Sequence, residues 1–191
     1  MAKLKVSIKG TAPLLMHNGQ LADPTNQHAQ LLKELNSKRK KTEEDLRAIA
    51  DAEWRGGLYV NEDEEIIIPA LNFEASIKNG AKKSKLGKQV QAGLMVDQDA
   101  ILEFKGSNKK IEDLIIDKNY RLYIGVKVNM GSRIMRTRPM FKDWGATFEI
   151  IYNDNVLDKK QVIKSIEDAG MYCGIGDWLP RYGRFEIQNI E

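Results

Sequence analysis

Three stretches of this chain hold side-chain types suited to a polyanionic ligand. Between Asn119 and Lys142 there is no aspartate or glutamate, while Lys127, Arg133, Arg136, Arg138 and Lys142 are cationic. Arginine forks match phosphate oxygens and their planes stack on bases. Phe141, Trp144 and the methionines Met130, Met135 and Met140 place apolar surface beside these charges. Cations interleaved with flat or soft apolar groups are what a single-strand binder requires. A second acid-free run, Ala75 to Val96, carries Lys78, Lys82, Lys83, Lys85 and Lys88 and reads as a phosphate track. Two of these lysines also suit the C-terminal end of a helix dipole. The third stretch, Gly174 to Ile187, joins glycines to Trp178, Arg181, Tyr182 and Arg184. Glycines there let backbone approach a ligand.

Catalytic chemistry has thinner support. His17 and His28 do not stand in a metal-ligand spacing, and Cys173 is the single cysteine, so no zinc set and no metal site is expected. The acidic run Glu62–Glu65 reads as a solvated hairpin tip. There is no P-loop, nucleophile elbow or dinucleotide fingerprint, and no cofactor is expected.

The composition suits a folded, soluble protein: 42% hydrophobic, 30% charged and net charge +3. One cysteine excludes an internal disulfide and fits a reducing, cytoplasmic setting. The start is no signal peptide, and no run approaches a membrane span.

Elements to position these residues follow from periodicity. Leu4, Val6 and Ile8 alternate with lysines, predicting a strand over 3–9 with one buried face. A helical region follows at about 28–55, with a start at Thr42 and Asp45 and a stop at Gly56-Gly57. Leu58–Pro69 reads as a hairpin. A helix over 70–83 would turn Leu71, Ala75, Ile77 or Ala81 inward. A short strand is expected at 100–104, and strands at 119–128, 146–152 and 184–190. Asp158 caps a helix over 158–169. The principal elements make an α+β chain of order β-α-β-β-α-β, the ferredoxin-like or RRM-like arrangement. Residues 1–191 form a single domain in this reading, with 12–69 a large insertion after the first strand and 128–145 a projecting basic hairpin.

Several of these residues also carry a resemblance. Ile67-Ile68-Pro69-Ala70 running into a helix, the Gly174–Ile187 loop with its Arg-x-Gly-Arg-aromatic run, and Thr11-Ala12-Pro13-Leu14-Leu15 after the first strand resemble motifs of the RAMP superfamily of CRISPR proteins. The Cas7-like backbone subunit, or a phage or prophage relative, is the nearest match in pattern. The resemblance covers three short motifs and the element order. The helix after Pro69 lacks the Gly-Ser and Lys-Gly steps of the pattern. The resemblance implies a ferredoxin-like domain with a projecting thumb that binds single-stranded RNA, often as a homo-oligomeric filament. It also implies a rival: RAMP-type endoribonucleases use a histidine or aspartate in the segment that holds His17 and Asp23.

The expected function is sequence-independent binding of single-stranded RNA or DNA, with no membrane partner. An endoribonuclease, metal-dependent or not, and a protein-interaction module whose basic face meets an acidic protein are the alternatives.

Overall fold

The computed structural model describes every residue except Asn129 and Met130, with backbone alone at Val128 and Ser132. In chain order the strands are β1 (Ala2–Gly10), β2 (Leu14–Leu15), β3 (Ile67–Ile68), β4 (Leu94–Val96), β5 (Ala100–Ile101), β6 (Glu103–Phe104), β7 (Arg121–Val128), β8 (Ser132–Phe141), β9 (Trp144–Tyr152) and β10 (Phe185–Ile190). The helices are α1 (Gln27–Ser37), α2 (Glu43–Gly57), α3 (Ala70–Ala81), α4 (Gly87–Gly93), α5 (Ile111–Ile116) and α6 (Lys159–Asp168). The mixture is α+β, as expected. It divides into two compact units. The sheet unit comprises Met1–Leu15, Tyr59–Ser107 and Lys142–Glu191; the hairpin unit comprises Met16–Leu58 and Asn108–Phe141.

In the sheet unit, β1 lies between β10 and β9, and β4 follows on the far side of β9, all antiparallel. β6 also pairs with β9, and β3 pairs separately with β5. The alternation of β1 is realised: Leu4, Val6 and Ile8 are buried while Lys3, Lys5 and Lys9 are exposed. Phe73 of α3 stacks on Phe148 of β9 with ring centroids 4.1 Å apart. The buried face of α3 is Phe73, Ser76, Ile77, Gly80 and Ala81. This corrects the expected inward set: Leu71 and Ala75 are exposed, because the helical period that buries Phe73 and Ile77 rotates them to solvent. Gly80 has no side chain for a reason of packing, since a Cβ there would stand 2.4 Å from the backbone nitrogen of Ala169. Helix α6 opens on a capping box in which Asp158 and Gln161 satisfy each other's backbone N–H. It continues past Gly170 as a π-helical turn, Ala169–Cys173, where a stop was expected.

A larger correction concerns the strands between these helices. The strand beside β9 on the side away from β1 is β4, Leu94–Val96, and the expected middle strand 119–128 is not in this sheet. Its residues, β7, pair instead with β8 from Arg121↔Pro139 to Val128↔Ser132. The segment 128–145 is accordingly divided: Ser132–Phe141 is a strand of the hairpin unit, and β9 already begins at Trp144.

In the hairpin unit α2 packs against β8, and α1 packs against α2. The helical region expected at 28–55 is two helices. Helix α2 starts on the Thr42/Asp45 capping box read from sequence. The Lys38 ammonium, followed by the Thr42 N–H, holds the Asp45 carboxyl down to about 2. The cap is therefore complete above the ordinary carboxylate range and is lost only as pH falls through about 2. Trp54 is fully buried and donates its indole N–H to the Tyr120 carbonyl at 2.7 Å. Among the described residues no helix is long and apolar enough to cross a membrane.

Candidate nucleic-acid interface

Charge is distributed unequally between the two units. The hairpin unit holds fifteen lysines and arginines against ten aspartates and glutamates, net +5; the sheet unit holds fifteen against seventeen, net −2. The overall +3 hides this separation.

Within the hairpin unit, β7 and β8 place Lys127 directly opposite Arg133, both exposed, with no ion-pair partner for either among the described residues. Arg136 differs. Its Nη1 donates to Glu53 Oε1 at 2.7 Å, while Glu53 Oε2 accepts the Thr137 backbone N–H at 2.7 Å. Glu53 is buried, so this pair is part of the α2–β8 packing. Arg136 was expected without an acid because its partner is distant in sequence. Arg138 donates to the Thr137 carbonyl at 3.1 Å. Arg121, which the sequence did not single out, pairs with Asp51 at 2.6 Å. Of the expected methionines, Met135 is exposed, Met140 is half-buried and Met130 lies outside the described residues. Phe141 is buried and offers no outer surface.

Expected contacts in the sheet unit receive mixed support. Lys82, Lys83 and Lys85 are exposed around the C-terminal end of α3, and Lys78 is half-buried. The Lys82 ammonium donates to Asn79 Oδ1, and Lys83 lies 3.5 Å from the Tyr172 ring centroid. Lys88 is exposed on α4, and Lys142 is exposed. Trp144 is a correction. At 3% exposure, with its indole N–H donated to the Ala12 carbonyl at 2.8 Å, it has no face left for a base. It points inward because β9 alternates and Trp144 shares the buried side with Ala146, Phe148 and Ile150. Trp178 and Tyr182 are half-buried with centroids 6.2 Å apart, beside the exposed Arg181 and Arg184.

The glycines of that loop serve the fold. Gly174, Gly176 and Gly183 have φ of +79°, +96° and +70°. A Cβ on Gly176 would stand 2.2 Å from the Leu15 carbonyl oxygen, and one on Gly183 would stand 1.7 Å from that of Ile175. The close approach expected toward a ligand is made to the chain's own backbone.

The open face of the main sheet is unsuited to a polyanion. Lys3 meets Glu149 at 2.6 Å, Lys5 lies 3.9 Å from Glu191, Lys9 is opposite Glu186, and Ser7 shares a hydrogen bond with Thr147. Cation and acid alternate across the strands and cancel.

Of the catalytic candidates, Asp23 accepts both the backbone N–H and the hydroxyl of Thr25, which lower its carboxyl below the ordinary value. That is turn chemistry. His17 is exposed in the segment after β2. Among the described residues no group of three or more His, Cys, Asp and Glu is placed to hold a metal ion.

No family model matches the chain, and no curated protein matches it. The fold does have solved counterparts. One is a chain of the cryo-EM structure of the Type III-B Cmr-beta bound to cognate target RNA, at a TM-score of 0.60 and 13% identity. The match covers 99% of this chain and 59% of that one, so the present chain spans a little over half its length. At that identity the likeness is one of fold.

Proposed function

We propose that this chain is a Cas7-like member of the RAMP superfamily that holds single-stranded nucleic acid, RNA foremost, without reading its sequence. The observation that carries this is the +5 hairpin unit, with Lys127 and Arg133 paired across exposed strands. Clustered like charge of this kind is what a polyanion neutralises. The fold likeness to a chain in an RNA-bound complex supports the same reading. So does the strand order of the sheet unit: last strand, first, β9, then β4, with α3 and α6 as the two connections. With Leu94–Val96 read as the second strand, that order supports a ferredoxin-like β-α-β-β-α-β reading. Lys82, Lys83 and Lys85, and the Arg181, Tyr182 and Arg184 loop, are secondary backbone contacts in this proposal. Self-association along one strand belongs to it too.

The test is the salt dependence of binding to labelled single-stranded RNA and DNA, with and without magnesium. Affinity is expected to fall by orders of magnitude between about 50 and 200 mM salt. Replacing Lys127 and Arg133 together with alanine is expected to lower the slope of log K against log salt by about 1.4, or about 0.7 per lost phosphate contact. Both residues are exposed, so the melting midpoint should move little, with stability unchanged within about 0.5 kcal/mol. The same pair of changes at Lys159 and Lys160, exposed at the start of α6, is the control. A salt-independent affinity, or an equal loss in the control, overturns the proposal. Strand cleavage in the magnesium arm replaces it with the endoribonuclease.

A further inference from the structure

The hairpin unit carries a groove that the sequence did not single out. Two open cavities of about 350 and 390 Å³ lie side by side along α2. Tyr123, Leu46 and Ala50 line both, so they form the ridge between them. The first continues over Ile49, Met135 and Arg136 toward Lys41; the second over Ile116 toward Arg47, Lys118 and Arg121. Each is of the size that takes a small planar ligand.

Two properties of these walls coincide. Ile116 is 77% exposed, Tyr123 50%, Leu46 47% and Met135 45%. Four large apolar side chains left in water around one groove are a departure from scattered surface hydrophobes. The charged lining is Lys41, Arg47, Lys118, Arg121 and Arg136 with one acid, Glu53. Arg136 pairs with Glu53, Arg121 with Asp51 and Arg47 with Glu43, which leaves Lys41 and Lys118 as the rim cations without an acidic partner among the described residues. Both Glu53 oxygens are taken, by Arg136 and by the Thr137 N–H, so the acid is turned into the fold. The groove therefore has an apolar floor, an aromatic ridge and a cationic rim. An apolar peptide would not use the rim, and a compact anion would not use the floor. A nucleotide uses both, the base on the floor and the phosphate at the rim.

We infer that this groove is a base cradle for a single-stranded polynucleotide, with Tyr123 the residue on which a base stacks and the flanking cavities holding that base and its neighbour. The inference rests on the proposed function and deepens it. It places base contact on the face of β7 that lines the groove beside α2. Register puts Tyr123 there, on the same side of the hairpin as Lys127 and Arg133, so one strand face presents the stacking ring and the outer phosphate contacts.

The probe is a single-stranded oligouridylate carrying one 2-aminopurine, whose fluorescence falls when the base stacks, together with a matched strand carrying abasic sites. The variants are Tyr123→Leu, which keeps apolar area and removes the ring, and Tyr123→Trp, which restores a ring. Tyr123→Leu is expected to weaken binding of the 2-aminopurine strand about 5- to 150-fold. The salt slope should be unchanged, because no phosphate contact is lost. Tyr123→Trp should bind as the parent protein does, and the abasic strand should not distinguish the three. Ile116→Asp, at an exposed position, is expected to weaken binding as well and serves if Tyr123→Leu folds poorly. If Tyr123→Leu and Ile116→Asp both bind and quench as the parent does, while parental binding stays salt-dependent, the cradle is wrong and the basic-surface reading stands. If the parent protein retains no strand at about 50 mM salt, where phosphate contacts are strongest, both are wrong.

Discussion

Gly183→Ala is expected to unfold the sheet unit under conditions where the parent protein is fully native. Three constraints meet at this residue. Its φ of +70° is the left-handed region, which costs a residue with a Cβ about 1–2 kcal/mol. Its N–H donates to the Pro13 carbonyl at 2.8 Å, and its own carbonyl accepts the Ile175 N–H at 2.9 Å, so it is held from both sides. A Cβ would stand 1.7 Å from the Ile175 carbonyl oxygen, which is backbone and has no rotamer by which to withdraw. A loss of more than about 4 kcal/mol is expected, at the upper end for a single substitution. Gly19→Ala is the matched control, since a Cβ there meets nothing within 4 Å; it should change stability by no more than about 0.5 kcal/mol. Denaturant midpoints of the two variants measure the contrast, and a Gly183→Ala protein as stable as the parent would show that the loop is laxer than its geometry. A glycine-rich loop resembling a RAMP motif is thus a mark of packing at three backbone crossings.

The second large effect is expected at Glu53. Glu53→Ala removes an acceptor from the Thr137 N–H and the counter-ion from Arg136 in one step. Breaking a buried pair from one side costs about 3–5 kcal/mol. The lower figure applies here because the Arg136 side chain is 35% exposed and regains some water. Glu53→Gln keeps the Thr137 bond and should lose roughly half as much. Arg136→Ala should be costly in turn, because it leaves the Glu53 carboxylate buried without its cation. Replacing both by methionine should recover the part that comes from the unpaired charge, but not the part from the Thr137 N–H, which stays without its acceptor. If Glu53→Ala melts with the parent, the pair contributes nothing and Arg136 is free to serve the ligand. Removing Arg133, Arg136 and Arg138 together therefore mixes binding with folding, whereas Lys127 and Arg133 separate them.

Which parts of this were legible in the sequence follows from what local pattern encodes. The Thr42 and Asp158 caps, the one-sided burial of β1 and the chain positions of α3, α6 and β10 were legible, because each depends on residues within a few positions of each other. The sheet membership of 121–128 was not. Alternation records that a strand has two unlike faces, and it is silent on which strand lies alongside. Leu94–Val96, the strand that does join β9, is three residues long and too short to alternate visibly. Trp144 was misplaced because it follows the cationic run from Arg133 to Lys142 in sequence, while its neighbours in space are Ala12 and Phe185. Tyr123 was passed over as one member of an alternating strand. Its use depends on Leu46 and Ile116 from two other helices, which no local window contains.

The hairpin unit also sets a timetable. Its two chain segments are separated by residues 59–107, which belong to the other unit. When the ribosome releases α2, Trp54 has no Tyr120 carbonyl and Glu53 has no Arg136; these lie 66 and 83 residues further on. At about 5–20 residues per second the wait is about 3–17 s. Through that interval α1 and α2 exist as an amphipathic pair with an unquenched carboxylate and an uncovered indole. Helices of this length are marginal alone. A nascent chain halted before residue 136 should accordingly bind hydrophobic chaperones and resist protease poorly, and protection should arrive abruptly once β8 emerges.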